Sequence, residues 1–227
     1  MRYPQLDDRL QAAADLFPVC AYGADIGADH GRLSCHLLHS GKCARMIVSD
    51  ISAESLAKAQ ALLALHELAD RADFCVADGL NALRGRPNVQ CAVMCGMGGR
   101  LISQILHGGC GLLQGAALVL SSHTDIPLVR QTLMQIGYAI TAERIVRAKG
   151  RFYVLMRAEP GNAHYILALR CWIIRHPCGR IICAGAKAWS PAKPGMNDSL
   201  HGSERNWQNE NRIRSRRIRL AESDCSL

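Results

Sequence analysis

Asp25-Ile26-Gly27-Ala28-Asp29-His30-Gly31 is the stretch that decides the fold. Residues 21–26 read as a short buried strand, and residues 33–38 have helical spacing that Gly41 closes. A strand, a glycine-containing loop and a helix open a nucleotide-binding α/β unit. Gly27 lets the backbone pass close to a ligand where a Cβ would collide. Pyrophosphate sites use a Gly-x-Gly-x-x-Gly turn that turns backbone N–H groups toward the anion. This loop instead places the carboxylate of Asp29 between its glycines, which argues against a nicotinamide dinucleotide.

The alternation continues on both sides. Upstream, Leu6, Leu10, Ala13, Ala14 and Phe17 recur at helical spacing and Pro18 ends the run. Downstream, residues 44–50 form a second strand, and Ser52 caps a helix to about Leu65 with Glu54 near its positive end. Residues 73–77, 89–95 and 117–121 read as the next three strands, with helices over 101–106 and about 127–136. Residues 138–147 and 151–158 flank Ala148-Lys149-Gly150 as a hairpin. The fold class expected is α/β: a Rossmann-like class I methyltransferase sheet, mostly parallel and covered on both faces, with a C-terminal antiparallel hairpin. That hairpin separates such sheets from ordinary dinucleotide-binding ones.

Ligands of open parallel sheets sit beyond the carboxyl ends of the strands. Four successive strands end here on Asp25 with Gly27, Asp50, Asp78 with Gly79, and Gly96-Met97-Gly98-Gly99. Asp50 can accept from ribose hydroxyls and Asp78 from an adenine amino group. Asp25 and Asp29 suit a cationic ligand, and S-adenosyl-L-methionine carries both a sulfonium and an ammonium. Each residue also has a plainer reading: Asp50 as a helix cap, His30 as a structural histidine, Met97 as packing, Gly98 and Gly99 as a closely packed helix start. The four strand ends in order outweigh any one of them.

With 227 residues, the chain has room for one full domain and a small appendage. Its composition, 49% hydrophobic and 20% charged, suits a globular protein, and no apolar run approaches the ~20 residues of a membrane span. Met1 to Asp8 lacks the apolar centre of a secretory signal, so a cytoplasmic protein is expected, with no membrane partner. The 11 cysteines are odd in number and scattered, several inside apolar runs, which reads as reduced, structural thiols. Cys91 and Cys95 share one predicted strand, and Cys171, Cys178 and Cys183 make no CxxC pair, so no metal site is expected.

Residues 1–160 carry 16 basic against 14 acidic side chains, and residues 161–227 carry 11 against 5. The basic excess is therefore mostly a property of the second segment, compatible with a polyanion and equally with solvation. Residues 161–227 are expected to be a basic tail, disordered from about residue 185, where Gly, Pro, Ser, Asn and Arg dominate.

Leu6-x2-Arg9-Leu10, Ala24-Asp25-Ile26-Gly27-Ala28-Asp29-His30-x2-Leu33, Asp78-Gly79-Leu80, Gly96-Met97-Gly98-Gly99 and Gly150-Arg151-Phe152-Tyr153 together resemble the bacterial TrmK family of tRNA (adenine-22-N1)-methyltransferases. The resemblance covers roughly residues 5–160. It implies S-adenosyl-L-methionine as cofactor and tRNA as partner. It also implies Asp29 with His30 in catalysis and a cofactor site on Asp25, Gly27, Asp29, Asp50, Asp78, Gly79, Gly96, Met97 and Gly98. Arg32 and Arg100, next to the two site loops, are the basic side chains expected to contact RNA, although a surface arginine is more often simply solvated. Ser121-Ser122-His123-Thr124 departs from the Gln-Pro-Asn type sequence of some relatives in the base-contacting loop. Relatives continue into a helical, coiled-coil-like domain. From about residue 166 this chain instead has Cys-, Trp- and Arg-rich text resembling a shifted reading frame, an expectation that intact mass and resequencing of the gene test. The alternatives are a small-molecule or protein methyltransferase and a non-catalytic remnant that binds cofactor or RNA.

Overall fold

The computed structural model describes residues 5–148, 150–161, 172–175 and 181–184. The chain divides into two units, Met1–Arg170 and Cys171–Leu227. In the first, the elements run α1 (Asp8–Leu16), β1 (Cys20–Ile26), α2 (Arg32–His39), β2 (Cys43–Asp50), α3 (Ala53–Leu65), β3 (Ala72–Val76), β4 (Cys91–Met97), α4 (Gly99–Gly109), β5 (Ala117–Ser122), α5 (Ile126–Gln135), β6 (Tyr138–Ala148) and β7 (Arg151–Pro160). The seven strands form one sheet in the order β3-β2-β1-β4-β5-β7-β6. β1 to β5 pair in parallel, and β7 lies antiparallel between β5 and β6. The expected closing hairpin is therefore present, with β6 at the sheet edge and β7 inside it.

The central strands are apolar on both faces because helices cover both. In β5 the alternate residues Leu118 and Leu120 join one core with Met94, Ile102, Leu106, Val129 and Leu133. Val119 joins the other with Val93, Phe17, Leu37, Ala59 and Leu63. One layer is thus α4 and α5, the other α1, α2 and α3. Local chemistry fixes the helix starts. The Asp7 carboxylate accepts from the Leu10 amide at 2.8 Å to cap α1, and the Ser52 hydroxyl accepts from Ser55 at 3.2 Å to cap α3, as the sequence predicts.

Predicted boundaries shift where glycines gather. α4 begins at Gly99, two residues before the predicted start, with the extended Gly98 as its N-cap. Glycine has poor helix propensity, but packing overrides it: a Cβ on Gly99 would lie 2.4 Å from the Thr124 carbonyl oxygen. Among the described residues, no helix is long and apolar enough to cross a membrane.

Within the second unit, β8 (Trp172–Arg175) pairs antiparallel with β9 (Ile181–Ala184). Strands of four residues are too short for an alternating pattern to stand out in the sequence. The disorder expected from about residue 185 concerns residues outside those described.

Candidate functional site

The order β3-β2-β1-β4-β5 reverses direction between β1 and β4, the topological switch point where ligands of such sheets bind. A cavity of about 570 Å³ opens there, and Asp25, Gly27, Asp29, His30, Arg32, Asp50, Asp78, Gly79, Gly96 and Met97 all border it. Gly98 and Arg100 do not. Gly98 faces the Thr124 hydroxyl, which a Cβ would meet at 3.4 Å. The Arg100 side chain is largely exposed, 3.9 Å from the Asp125 carboxylate.

The loop after β1 is built from its own backbone. The Gly27 and Ala28 amides both donate to the Ser49 carbonyl of β2 at 2.9 Å, and the Gly31 amide closes a turn on Ala28 at 2.8 Å. Gly31, at φ +68°, is a position only glycine fills well, because its Cβ would stand 2.7 Å from that of Ala59. Gly27, at φ +74°, would aim a Cβ at the Met97 methyl, 2.6 Å away. Met97 thus lies across the loop and fills the space that a side chain at 27 would take.

The four carboxylates differ in state. Asp25 is buried and accepts from the Ser34 hydroxyl at 2.6 Å. Burial pushes its carboxyl up to about 6; the Ser34 hydrogen bond opposes this and the nearby Asp50 charge adds to it. Asp50 takes the Asp29 amide on one oxygen and the Ser52 amide on the other, each at 2.9 Å. It therefore ties the β1 and β2 loops together while keeping further lone pairs for a ligand. Asp78 is exposed and its side chain caps no helix N–H. Asp29 sits in the left-handed region at φ 51°, with its carboxylate 69% exposed and 2.9 Å from His30 Nδ1. Arg32, expected to contact RNA, donates to the Gln5 carbonyl at 2.6 Å and so anchors the segment leading into α1. Among the described residues no group of three or more His, Cys, Asp or Glu side chains could hold a metal ion.

The far side of the cavity is made by residues to which the sequence assigned no site role: Arg9, His123 and Tyr153. Their signal was present, since Arg9 and Tyr153 belong to the quoted motifs and His123 to the divergent loop. Only the topology shows that α1, the β5–α5 loop and the start of β7 converge here.

The chain is similar in sequence and in structure to known proteins. The chain is 30% identical over 159 residues to a tRNA (adenine(22)-N(1))-methyltransferase of Bacillus subtilis, covering 70% of this chain and 66% of the relative. Similar solved structures include the B. subtilis M1A22 tRNA methyltransferase TrmK (TM-score 0.66, 29% identity, 70% of this chain and 68% of that one). Another is a putative tRNA (m1A22) methyltransferase of Streptococcus pneumoniae in complex with S-adenosyl-L-methionine (TM-score 0.69, 28% identity, 72% and 77%). The chain spans just under two thirds of the length of the curated relatives it matches. The methyltransferase domain family matches residues 6–156, two thirds of the chain, and the chain belongs to that family.

Proposed function

We propose that the chain transfers a methyl group from S-adenosyl-L-methionine to N1 of an adenine in tRNA. The observation that carries this reading is the switch-point cavity, whose strand-end carboxylates and Gly27 loop occur in a chain similar to enzymes named for that reaction. The residues fit the cofactor: a ligand with a sulfonium and an ammonium suits a cavity bordered by Asp25, Asp29, Asp50 and Asp78. The backbone at Gly27 leaves no room for a side chain beside Met97. Asp25 and Asp29 would face the cationic groups, Asp50 the ribose hydroxyls and Asp78 the adenine amino group.

When bound, S-adenosyl-L-methionine supplies an electrophilic methyl group. Adenine N1 lies on the Watson–Crick edge, so the acceptor base must be unpaired to reach it. Its lone pair is free, and no general base is needed to create the nucleophile. The ring becomes cationic as the bond forms. A carboxylate held beside it stabilises that charge without reorganising. Asp29 fits this role: its amide is fixed on Asp50, His30 holds one carboxylate oxygen, and the side chain stays open to the cavity. Arg32, which borders the cavity, and the exposed Arg100 of α4 are proposed as phosphate contacts.

The test is methyl transfer from labelled cofactor to bulk tRNA, with mapping of methylated adenosines in tRNA from cells with and without the gene. Label at an adenine N1 that vanishes with the gene is expected. Label in protein or small molecules only, or cofactor binding with no product from any tRNA, would overturn the reading.

A further inference from the structure

The cavity has two chemically different sides. Carboxylates at the ends of β1, β2 and β3 make one; the other is cationic and aromatic. β4 bulges between Cys95 and Met97, and Gly96, at φ +83°, is exposed at the bulge. A Cβ there would point between Arg9 and His123, 3.4 Å from Arg9 Nη1 and 4.0 Å from His123 Nε2. The Arg9 guanidinium carbon lies 5.7 Å from the centroid of the Tyr153 ring, over its face. The His123 ring meets that of Tyr153 edge-on, with centroids 5.5 Å apart and planes at 75°. Four separate segments thus bring two rings and a guanidinium together on this side of the cavity, and the missing side chain of Gly96 keeps the space before Arg9 and His123 open. Asp7, which also borders the cavity, caps α1 through one carboxylate oxygen.

Flat, polarisable groups bordering a cavity are what a nucleobase stacks on. Every base has a π-face that stacks on an aromatic ring, and guanidinium planes add cation–π attraction. Met97, reaching across Gly27, stands where the two sides of the cavity meet. We propose that Gly96, His123 and Tyr153 form the receptor for the unpaired methyl-accepting base, with Arg9 as a positioning residue that fixes the plane of the Tyr153 ring. The proposal rests on the reading of the chain as an RNA methyltransferase. It divides the cavity between a carboxylate half for the cofactor and an aromatic half for the acceptor.

Stacking contributions of the usual size correspond to roughly 5- to 150-fold in affinity per base. The test is a fluorescence titration of the full chain with a short single-stranded RNA carrying one 2-aminopurine, in saturating S-adenosylhomocysteine. Stacking quenches this base, so binding is read without turnover. Wild type and Tyr153→Phe are expected to bind and quench, while Tyr153→Ala loses at least fivefold in affinity. Arg9→Lys, which keeps a cation over the ring, should retain most of what Arg9→Ala loses. Should Tyr153→Ala fail to fold, the exposed His123→Ala carries the same expectation, with S-adenosylhomocysteine affinity by calorimetry within twofold of wild type. Wild-type quenching and affinity in the folded Tyr153→Ala and His123→Ala variants would overturn the proposal, as would absence of quenching in wild type. Quenching without methyl transfer to any RNA sinks the methyltransferase reading and leaves the base receptor. Methyl transfer undiminished in all these variants does the reverse.

Discussion

Asp25 and Asp29 are four residues apart and chemically opposite. Asp25 is 3% exposed, and burial raises its carboxyl from 3.8 to about 6. A folded-state value above the unfolded one means that the folded protein holds a proton that the unfolded chain has released between about pH 4 and 6. Stability from this group is therefore complete below pH 4, is lost as pH rises to about 6, and is flat above. The loss is on the order of 3 kcal/mol. Asp25→Asn, which keeps the acceptor for Ser34, should unfold at higher urea than wild type at pH 7.5 and at the same urea at pH 4. Equal differences at both pH values would show that Asp25 ionisation is not the cause. Asp29 is exposed, its backbone already held by Asp50, so removing its carboxylate disturbs little structure. Asp29→Ala should keep S-adenosyl-L-methionine affinity within several-fold by calorimetry and lose most methyl transfer. Unchanged turnover would remove Asp29 from the chemistry.

The β4–α4 junction shows how an element's position depends on one missing atom. The Gly99 amide donates to the Thr124 carbonyl at 3.1 Å, and the same oxygen lies 2.4 Å from where a Cβ would be. Both groups are backbone, so neither yields by a rotamer change. Gly99→Ala must push α4 away from the β5–α5 loop, at the usual overpacking cost of about 1–3 kcal/mol. It should lower the urea midpoint with little change in slope and weaken cofactor binding through the displaced Met97; a wild-type midpoint would contradict the close approach. The sequence made this element readable as Gly96-Met97-Gly98-Gly99 at a strand end, because apolar periodicity stops there. It did not reveal why the glycines are needed, since Thr124 is 25 residues away and only the β4–β5 pairing brings it near. The same limit hid the aromatic half of the cavity. Asp25, Asp50 and Asp78 were legible because each ends a strand of its own, whereas Arg9 and Tyr153 meet through the sheet order, which local pattern does not encode.

Across the whole chain, charge and family match separate. The methyltransferase domain ends its match at residue 156, and residues 1–160 are nearly neutral, with 16 basic against 14 acidic side chains. The remainder has 11 against 5, including Arg212, Arg214, Arg216 and Arg217. A nearly neutral domain gains little from long-range attraction to a polyanion, so on the proposed function the basic segment is where affinity for RNA would arise. Replacing those four arginines by glutamine should weaken tRNA binding in 50 mM salt. It should also flatten the dependence of log affinity on log salt by up to about 3, at roughly 0.7–0.9 per phosphate contact. Cofactor affinity and base quenching should not change, because every residue assigned to them lies before position 154. A salt slope equal to that of wild type would mean that these arginines stay solvated in the complex, and would move the search for phosphate contacts to Arg32 and Arg100.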